Sequence, residues 1–543
     1  MVLRVNIREK SFGPKNLFSD IDFSINDGEK VGLIGRNGLG KTTLFNIITG
    51  KDTDFTGEVQ TGRGVVIVAT DQEYHVGGQV TVIEYILAGL PEFAKLSQII
   101  HQFPRIKSPT RKQINEYSDA LDRFSTKGYY FIEDQLREEL KNFQLENKAD
   151  QPFQSLSGGE KRLSEIVKIM HSKADLALID EPTNFMDYIA KRQFIDWLSQ
   201  TREAIIVISH DRDVLNEVER IIEIKDGAAT NYNGSYSQYL KQNSERTSAA
   251  MTGYELTERR VKNLKQKVID YRRLKEKARN PATIHQFKRL EVSARAELAE
   301  LEAAERPSFW VDAESMEKMG YKDLDHYGKY KAKNIRFGLK PGEGKTKKTL
   351  ISAKDLAVGY EMPLFQDKSF DLHEGETLEI RGRNGAGKTT LIKALLDQPG
   401  PTIFSGQKQI DESARIGIYH QEVEDKYFKL KLPEAINQIY RDQGLFVSDQ
   451  RIRQLISDYL FTEADLSVLV GNLSGGQKAR LQTIAMLAND PNILILDEPT
   501  SHLDLPSIEE LEHALMNYHG AILYISHDNY FRHKIGGTVL EIP

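Results

Sequence analysis

Residues 31–43 read Val-Gly-Leu-Ile-Gly-Arg-Asn-Gly-Leu-Gly-Lys-Thr-Thr, and residues 377–390 read Thr-Leu-Glu-Ile-Arg-Gly-Arg-Asn-Gly-Ala-Gly-Lys-Thr-Thr. Each is a short apolar run that passes into G-x-x-x-x-G-K-T, at Gly35–Thr42 and Gly382–Thr389, and then into a helical pattern. A phosphate-binding loop requires that context: glycines let backbone N–H groups approach an anion, and the helix behind presents its positive end. The repetition extends further. A glutamine follows the loop lysine by 31 residues at Gln72 and by 33 at Gln421. Leu-Ser-Gly-Gly recurs at Leu156–Gly159 and Leu473–Gly476. Apolar strands end in Asp180–Glu181 and Asp497–Glu498, and further ones in Ser-His-Asp at His210 and His527. The serine-to-histidine interval is 53 residues in both halves. The chain is an internal duplication. A third glycine-rich stretch, Gly342–Thr346, has Leu339 where the first loop glycine belongs and reads as a basic turn.

At ~150 residues per domain, 543 residues suggest three or four units. Hydrophobic and charged contents of 39% and 28% are those of a globular chain. No apolar run approaches the ~20 residues of a membrane-spanning helix, and the first ten residues alternate like a strand rather than a signal peptide. The absence of cysteine excludes disulfide frameworks, thiolate zinc sites and iron–sulfur clusters, and fits a cytoplasmic protein.

The net charge of −6 hides an asymmetry. Residues 259–290 carry twelve Lys or Arg against Asp270 and Glu276, a net +10 that leaves −16 for the other 511 residues. Apolar residues recur there at three- and four-residue steps, from Val261 to Leu274 and from Ile284 to Leu301, with a break at Asn280-Pro281. Two antiparallel helices over about 238–306 are expected, the first about 40 residues long, with the basic cluster near their turn and few acidic partners there. The first half also carries 32 more residues between its glutamine and Leu-Ser-Gly-Gly than the second. Residues of about 83–126 read as two helical stretches meeting near Arg105, Lys107, Arg111 and Lys112, either a larger helical subdomain or a contact arm.

The duplicated motifs resemble the nucleotide-binding domains of the ATP-binding-cassette superfamily, in tandem over roughly 1–237 and 349–543. The resemblance implies an α/β fold: two P-loop domains with parallel sheets, antiparallel β subdomains and helical subdomains, joined by the helical hairpin 238–306 and a connecting segment 307–348. It implies that ATP phosphates are wrapped by Gly35, Asn37, Gly38, Gly40, Lys41, Thr42 and Thr43, and by Gly382, Asn384, Gly385, Gly387, Lys388, Thr389 and Thr390. Thr42, Gln72 and Asp180, and Thr389, Gln421 and Asp497, would hold Mg²⁺. Glu181 and Glu498 would activate water, His210 and His527 would bind the γ-phosphate, and Gln72 and Gln421 would approach metal or water. Phe12 and Tyr360 would stack on adenine, with core packing as the alternative. Ser157, Gly158 and Gly159 would close on Lys388, and Ser474, Gly475 and Gly476 on Lys41, in an intramolecular sandwich of two ATP molecules within one monomer.

Within the superfamily, the first-half insertion, Leu-Ser-Gly-Gly-Glu-Lys-Arg-Leu and the basic two-helix linker look like the ABC-F group of ribosome-acting ATPases. That resemblance implies entry at the ribosomal E site, with Arg272, Arg273, Lys275, Lys277, Arg279, Lys288 and Arg289 facing rRNA and P-site tRNA near the peptidyl-transferase centre. The short turn around Arg279–Ala282 favours a factor that adjusts tRNA and relieves stalling. An antibiotic-resistance (ribosome-protection) factor and the tandem ATPase subunit of an importer remain alternatives. One departure stands out: where the group carries Asp-Glu-Pro-Thr-Asn-His-Leu-Asp, this chain has Asn184-Phe185-Met186-Asp187 and Ser501-His502-Leu503-Asp504. Phe185 puts the equivalence of the two sites in question.

Overall fold

The computed structural model describes all residues except 14, 72–76, 304–309, 313–314, 317–326, 328–330, 332–333, 336, 338, 340–347 and 421. Gln72, Gln421 and the basic turn at Gly342–Thr346 therefore lie outside the described residues. Two compact units are present, residues 1–236 with 335–543, and residues 237–334.

In the first cassette a six-stranded sheet runs in the order Ala228–Asn233, Arg220–Lys225, Lys30–Gly35, Ala204–Ile208, Leu176–Asp180 and Ile67–Ala69. Only the first two strands pair antiparallel, as a hairpin; the rest are parallel. The strands Leu176–Asp180 and Ala204–Ile208 are buried at every position. A parallel strand covered on both faces needs such a continuous apolar run rather than alternation. The strand Leu3–Phe12 pairs antiparallel with Lys15–Phe18, Ile21–Ile25 and Thr56–Thr61 in a second sheet. Its Val5 and Ile7 share one core with Leu33, Leu44, Ile206 and Ile222, so the two sheets clasp the P-loop helix between them.

The second cassette repeats the plan with five parallel strands, Ile416–Tyr419, Ile493–Asp497, Ala521–Ile525, Thr377–Arg381 and Thr538–Glu541. The cassettes differ in their helical subdomains. Among the described residues between Gln72 and Ser157, in the Leu-Ser-Gly-Gly signature, the first has four α-helices, Val82–Gly89, Phe93–Gln102, Arg111–Thr126 and Ile132–Asn142, where the second, between Gln421 and Ser474, has Leu432–Asp442 and Asp449–Asp458. Phe93–Gln102 and Arg111–Thr126 pair closely: Phe103 stacks on Tyr117 at 4.1 Å, and Phe93 and Phe124 both meet Tyr129. Arg105, Lys107, Arg111 and Lys112 are exposed where the pair turns.

The second unit holds the helices Tyr236–Lys277, 42 residues, and Pro281–Ala303, 23 residues. At 1.5 Å per residue the longer spans roughly 60 Å. Three residues separate them. Asn280 Oδ1 accepts from Ala282 N at 3.0 Å, and Pro281 starts the return helix where its missing N–H leaves no helical bond unmade. Leu264 and Ala294 are buried in the seam, as is Glu291.

The expectation of few acidic partners near the turn is corrected here. Lys275 pairs with Glu291, and Arg272 with Glu276 at 3.3 Å. Further along, Arg260 meets Glu297 and Lys265 meets Glu302, both at 2.7 Å. Antiparallel packing lays acidic residues of the return helix against the basic helix, and they lie beyond the window 259–290. Arg273, Lys277, Arg279, Lys288 and Arg289 stay exposed, with no ion pair among the described residues.

Candidate functional site

The two P-loops have the same local build. Gly40 and Gly387 cap the helices Lys41–Ile48 and Lys388–Leu395 with φ of 86° and 99°. A Cβ on Gly40 would stand 2.5 Å from Leu17, so both the left-handed backbone and the close approach demand glycine. Lys41 Nζ donates to Gly35 O at 2.7 Å, and Lys388 Nζ to Gly382 O at 2.9 Å, folding each ammonium back over its loop. Thr42 Oγ1 donates to Asp180 Oδ2 at 2.9 Å and Thr389 Oγ1 to Asp497 Oδ2 at 2.8 Å. Hydroxyl and carboxylate oxygens are hard donors that suit Mg²⁺.

Glu181 and Glu498 directly follow the strand-end aspartates with φ of 46° and 51°. Neither is glycine, and a left-handed turn there costs about 1–3 kcal/mol, strain that tends to gather at functional positions. It turns each carboxylate toward the histidine of the neighbouring strand: His210 Nε2 to Glu181 Oε1 and His527 Nε2 to Glu498 Oε1 are both 3.4 Å. Burial raises both carboxyls, Glu498 to about 7. Burial lowers both histidines, His527 to about 3, with the nearby Lys388 acting in the same direction. The imidazoles are therefore neutral at pH 7 and able to hydrogen-bond a phosphate oxygen as donors. Burial also lowers Lys41 and Lys388, opposed by the acidic groups around them.

Phe12 and Tyr360 are 55% and 49% exposed, so neither ring belongs to the core. Phe12 lines a cavity of about 510 Å³ with Gly38, Lys41, Thr42 and Glu181. Tyr360 lines one of about 920 Å³ that holds Lys388, Thr389 and Glu498 of the second cassette together with Ser157 and Gly159 of the first. Ser157 and Ser474 each cap the signature helix behind them, accepting from Glu160 N and Gln477 N at 3.3 Å. On the other side, a Cβ on Gly476 would lie 2.5 Å from Asn37 Nδ2. Gly158 and Gly475 open the signature helices.

Contacts between the cassettes frame both P-loops. Asn37 Nδ2 donates to His502 O at 2.8 Å and Asn37 N to Asp504 Oδ2 at 3.3 Å. Reciprocally, Asn384 Nδ2 donates to Phe185 O at 3.1 Å and Arg383 Nε to Asp187 Oδ2 at 3.2 Å. The roles of Asp187 and Asp504 escaped the sequence reading, because their partners lie in the other half of the chain. Arg162 was missed as well: it donates to the carbonyls of Asp71 and Asp180, joining the first signature helix to the strand that bears Asp180.

A family model described as ABC transporter matches residues 18–184 and 365–501, more than half of the chain, and a second with the same description matches 222–308. Over 551 residues the chain is 30% identical to the putative ATP-binding protein YdiF of Bacillus subtilis, covering 100% of this chain and 80% of that one. ABC transporter F family member 5 of Arabidopsis thaliana is 28% identical, covering 99% of this chain and 74% of its own length. The chain belongs to the ABC-F family of ATP-binding-cassette proteins. This ABC-F protein thereby carries ATP-binding ATPase domains. Another relative, the ribosome protection protein VmlR of Bacillus subtilis, is 28% identical over 97% of this chain and 84% of that one. A solved structure named RNase-L Inhibitor shares the fold at a TM-score of 0.55 and 17% identity, over 96% of this chain and 85% of that one. Among the described residues of this ABC-F protein, no helix is long and apolar enough to cross a membrane.

Proposed function

We propose that this ABC-F protein hydrolyses ATP to ADP and phosphate at two composite sites, binds the ribosome in the cytoplasm, and thereby adjusts P-site tRNA to relieve slow or stalled translation. The observation that carries the reading is the reciprocal framing of each P-loop by the opposite cassette, through Asn37 with Asp504 and Asn384 with Phe185, on a chain whose separate hairpin keeps beside its turn five exposed cations with no ion pair among the described residues. The divisions 1–237, 238–306, 307–348 and 349–543 belong to the same reading.

In each site the P-loop N–H groups and lysine neutralise the phosphates. Thr42 with Asp180, and Thr389 with Asp497, would hold Mg²⁺, which would shield phosphate charge; Gln72 and Gln421 are assigned beside them. Glu181 or Glu498 takes a proton from the water that attacks the γ-phosphorus, while His210 or His527 hydrogen-bonds a γ-phosphate oxygen. The bond from the γ-phosphorus to the bridging oxygen breaks, ADP leaves with that oxygen, and the signature of the opposite cassette loses the phosphate that held it. ATP thus holds the cassettes closed and hydrolysis releases them.

Cosedimentation tests the partner. With both glutamates changed to glutamine, the ATP-bound protein should pellet with ribosomes at low salt. Recruitment to membranes with no ribosome association would favour the importer reading instead.

The sites should be unequal. Phe185 lies against the first signature, a Cβ on Gly159 being 3.1 Å from its ring, whereas its counterpart in the duplication, His502, lies by Gly475, one residue earlier in the second signature. An apolar ring there offers no polar group to the nucleotide interface. The single variants Glu181→Gln and Glu498→Gln should differ in residual hydrolysis, and Phe185→His should narrow the gap. Equal residual rates would make Phe185 silent.

The VmlR relative keeps the resistance reading in view. A turn of only three residues between the helices is blunt, suited to gripping backbone phosphates, which position without reading sequence. Expression in a susceptible bacterium should leave growth against drugs of the large-subunit catalytic centre unchanged. A large rise in resistance that depends on Glu181 and Glu498 would reverse the preference.

A further inference from the structure

A buried ion pair joins the two cassettes beside His210. Arg212 donates to both carboxylate oxygens of Glu512, Nη1 to Oε1 at 2.7 Å and Nη2 to Oε2 at 3.4 Å. The side chains are 6% and 0% exposed, so water screens neither charge. Lys534 approaches the same carboxylate at 3.1 Å, and the guanidinium lies 5.6 Å from the centre of the Tyr530 ring.

Arg212 stands two residues beyond His210 and opens the short helix Arg212–Asn216. That helix makes two more contacts with the second cassette: Asn529 Nδ2 donates to Asp213 Oδ2, and Asn216 Nδ2 to Tyr530 Oη, both at 2.6 Å. Lys191, 4% exposed, holds Asp211 and Asp213 at 2.7 and 2.6 Å from within the first cassette. The segment that carries His210 is thus tied down from both sides.

The duplication shows that this tie has no twin. The 317-residue offset that takes Ser157 to Ser474 and His210 to His527 also takes Arg212 to Asn529, and takes Ile195 to Glu512. An amide opposite an isoleucine forms no ion pair. The segment after His527 reaches the first cassette through the hydrogen bonds of Asn529 and Tyr530, while its arginine, Arg532, pairs within its own cassette, with Glu379 at 3.4 Å.

We infer that Arg212 and Glu512 are positioning residues for the Lys41 site alone, holding His210 where it meets Lys41 and Glu181, each at 3.4 Å. The inference rests on the two-site reading above. A bidentate guanidinium–carboxylate pair fixes direction as well as distance; without Arg212 the buried Glu512 carboxylate keeps Lys534 of its own cassette and no longer holds the segment of His210. His210 would then lose its alignment while His527 kept its own.

Single-turnover hydrolysis of bound ATP separates the sites. In a Glu498→Gln background only the Lys41 site hydrolyses, and in a Glu181→Gln background only the Lys388 site. Arg212→Met should slow the first roughly 10-fold or more and the second less than about 2-fold, with ATP affinity nearly unchanged in both, since no phosphate contact is removed. Arg212→Lys should recover part of the rate. Should Arg212→Met fold poorly, the double variant Arg212→Met with Glu512→Met replaces both buried ions by apolar groups and should show the same selective loss. Equal loss at both sites, as a general opening of the cassettes would give, or loss at neither, overturns the inference. Undiminished hydrolysis in protein carrying both Glu181→Gln and Glu498→Gln would overturn the two-site reading itself, whatever Arg212 does.

Discussion

Protein carrying Glu181→Gln together with Glu498→Gln is expected to hydrolyse ATP at least about 100-fold more slowly than the native chain, the usual contribution of a positioned general base. Glutamine keeps the shape of the side chain and its place in the strained turn but accepts no proton. ATP binding, which rests on the P-loops, should persist, and the cassettes should stay closed because the γ-phosphate is not lost. The same carboxylates set a pH dependence. Burial raises Glu181, and raises Glu498 to about 7, so the basic form is depleted as the pH falls through that range. Native hydrolysis should therefore decline on the acid side of neutrality. The histidines oppose nothing there, since burial already keeps them neutral. The residual rate of the double variant should be flat over the same range. Rapid phosphate release by that variant, or an acid limb that survives in it, would remove the two glutamates from the chemistry.

Changing Arg273, Lys277, Arg279, Lys288 and Arg289 to glutamate should have the second large effect, on ribosome binding. These five are the exposed cations near the hairpin turn without an ion pair among the described residues, so each is free to displace a counterion from an RNA phosphate. Each phosphate contact adds roughly 0.7–0.9 to the slope of log affinity against log salt. Losing them should flatten that slope by roughly four, and should lower affinity by more than 100-fold at low salt, where counterion release contributes most. Changing Lys275, already paired with Glu291, should matter less, because that pair must first be broken. An unchanged salt slope in the fivefold variant would place the RNA contact elsewhere, with the cations at Arg105, Lys107, Arg111 and Lys112 the next to test. The hairpin variant should keep its ATPase activity without ribosomes, since the P-loops lie in the other compact unit.

Much of the fold was legible because it is written in neighbouring residues. The two P-loops need glycine at Gly40 and Gly387 for a left-handed turn, and that need appears in a stretch of eight residues. The strands Leu176–Asp180 and Ala204–Ile208 announce burial on both faces by their unbroken apolar run. The long helix ends at Lys277 and its partner starts at Pro281, because a proline without an N–H is tolerated at a helix start and breaks a helix interior. These are short-range requirements of backbone sterics and hydrophobic period. An internal duplication makes them readable twice, so the order of motifs carried the family resemblance as well.

What the sequence could not settle is which charges meet. Asn37 is 467 residues from Asp504, and Arg212 is 300 from Glu512, yet in the folded chain they are in contact. The basic window shows few acidic partners because Glu291, Glu297 and Glu302 lie beyond it, and only antiparallel packing brings them against Lys275, Arg260 and Lys265. Nor does a motif distinguish a phenylalanine that is buried from Phe12, whose ring lies open beside the first P-loop. Local sequence dictates helices, strands and loops because steric and hydrogen-bond constraints act over a few residues. The partner of a buried charge is decided by whichever distant segment the close-packed interior brings within about 3 Å of it, because there Coulomb attraction is strong and water no longer competes.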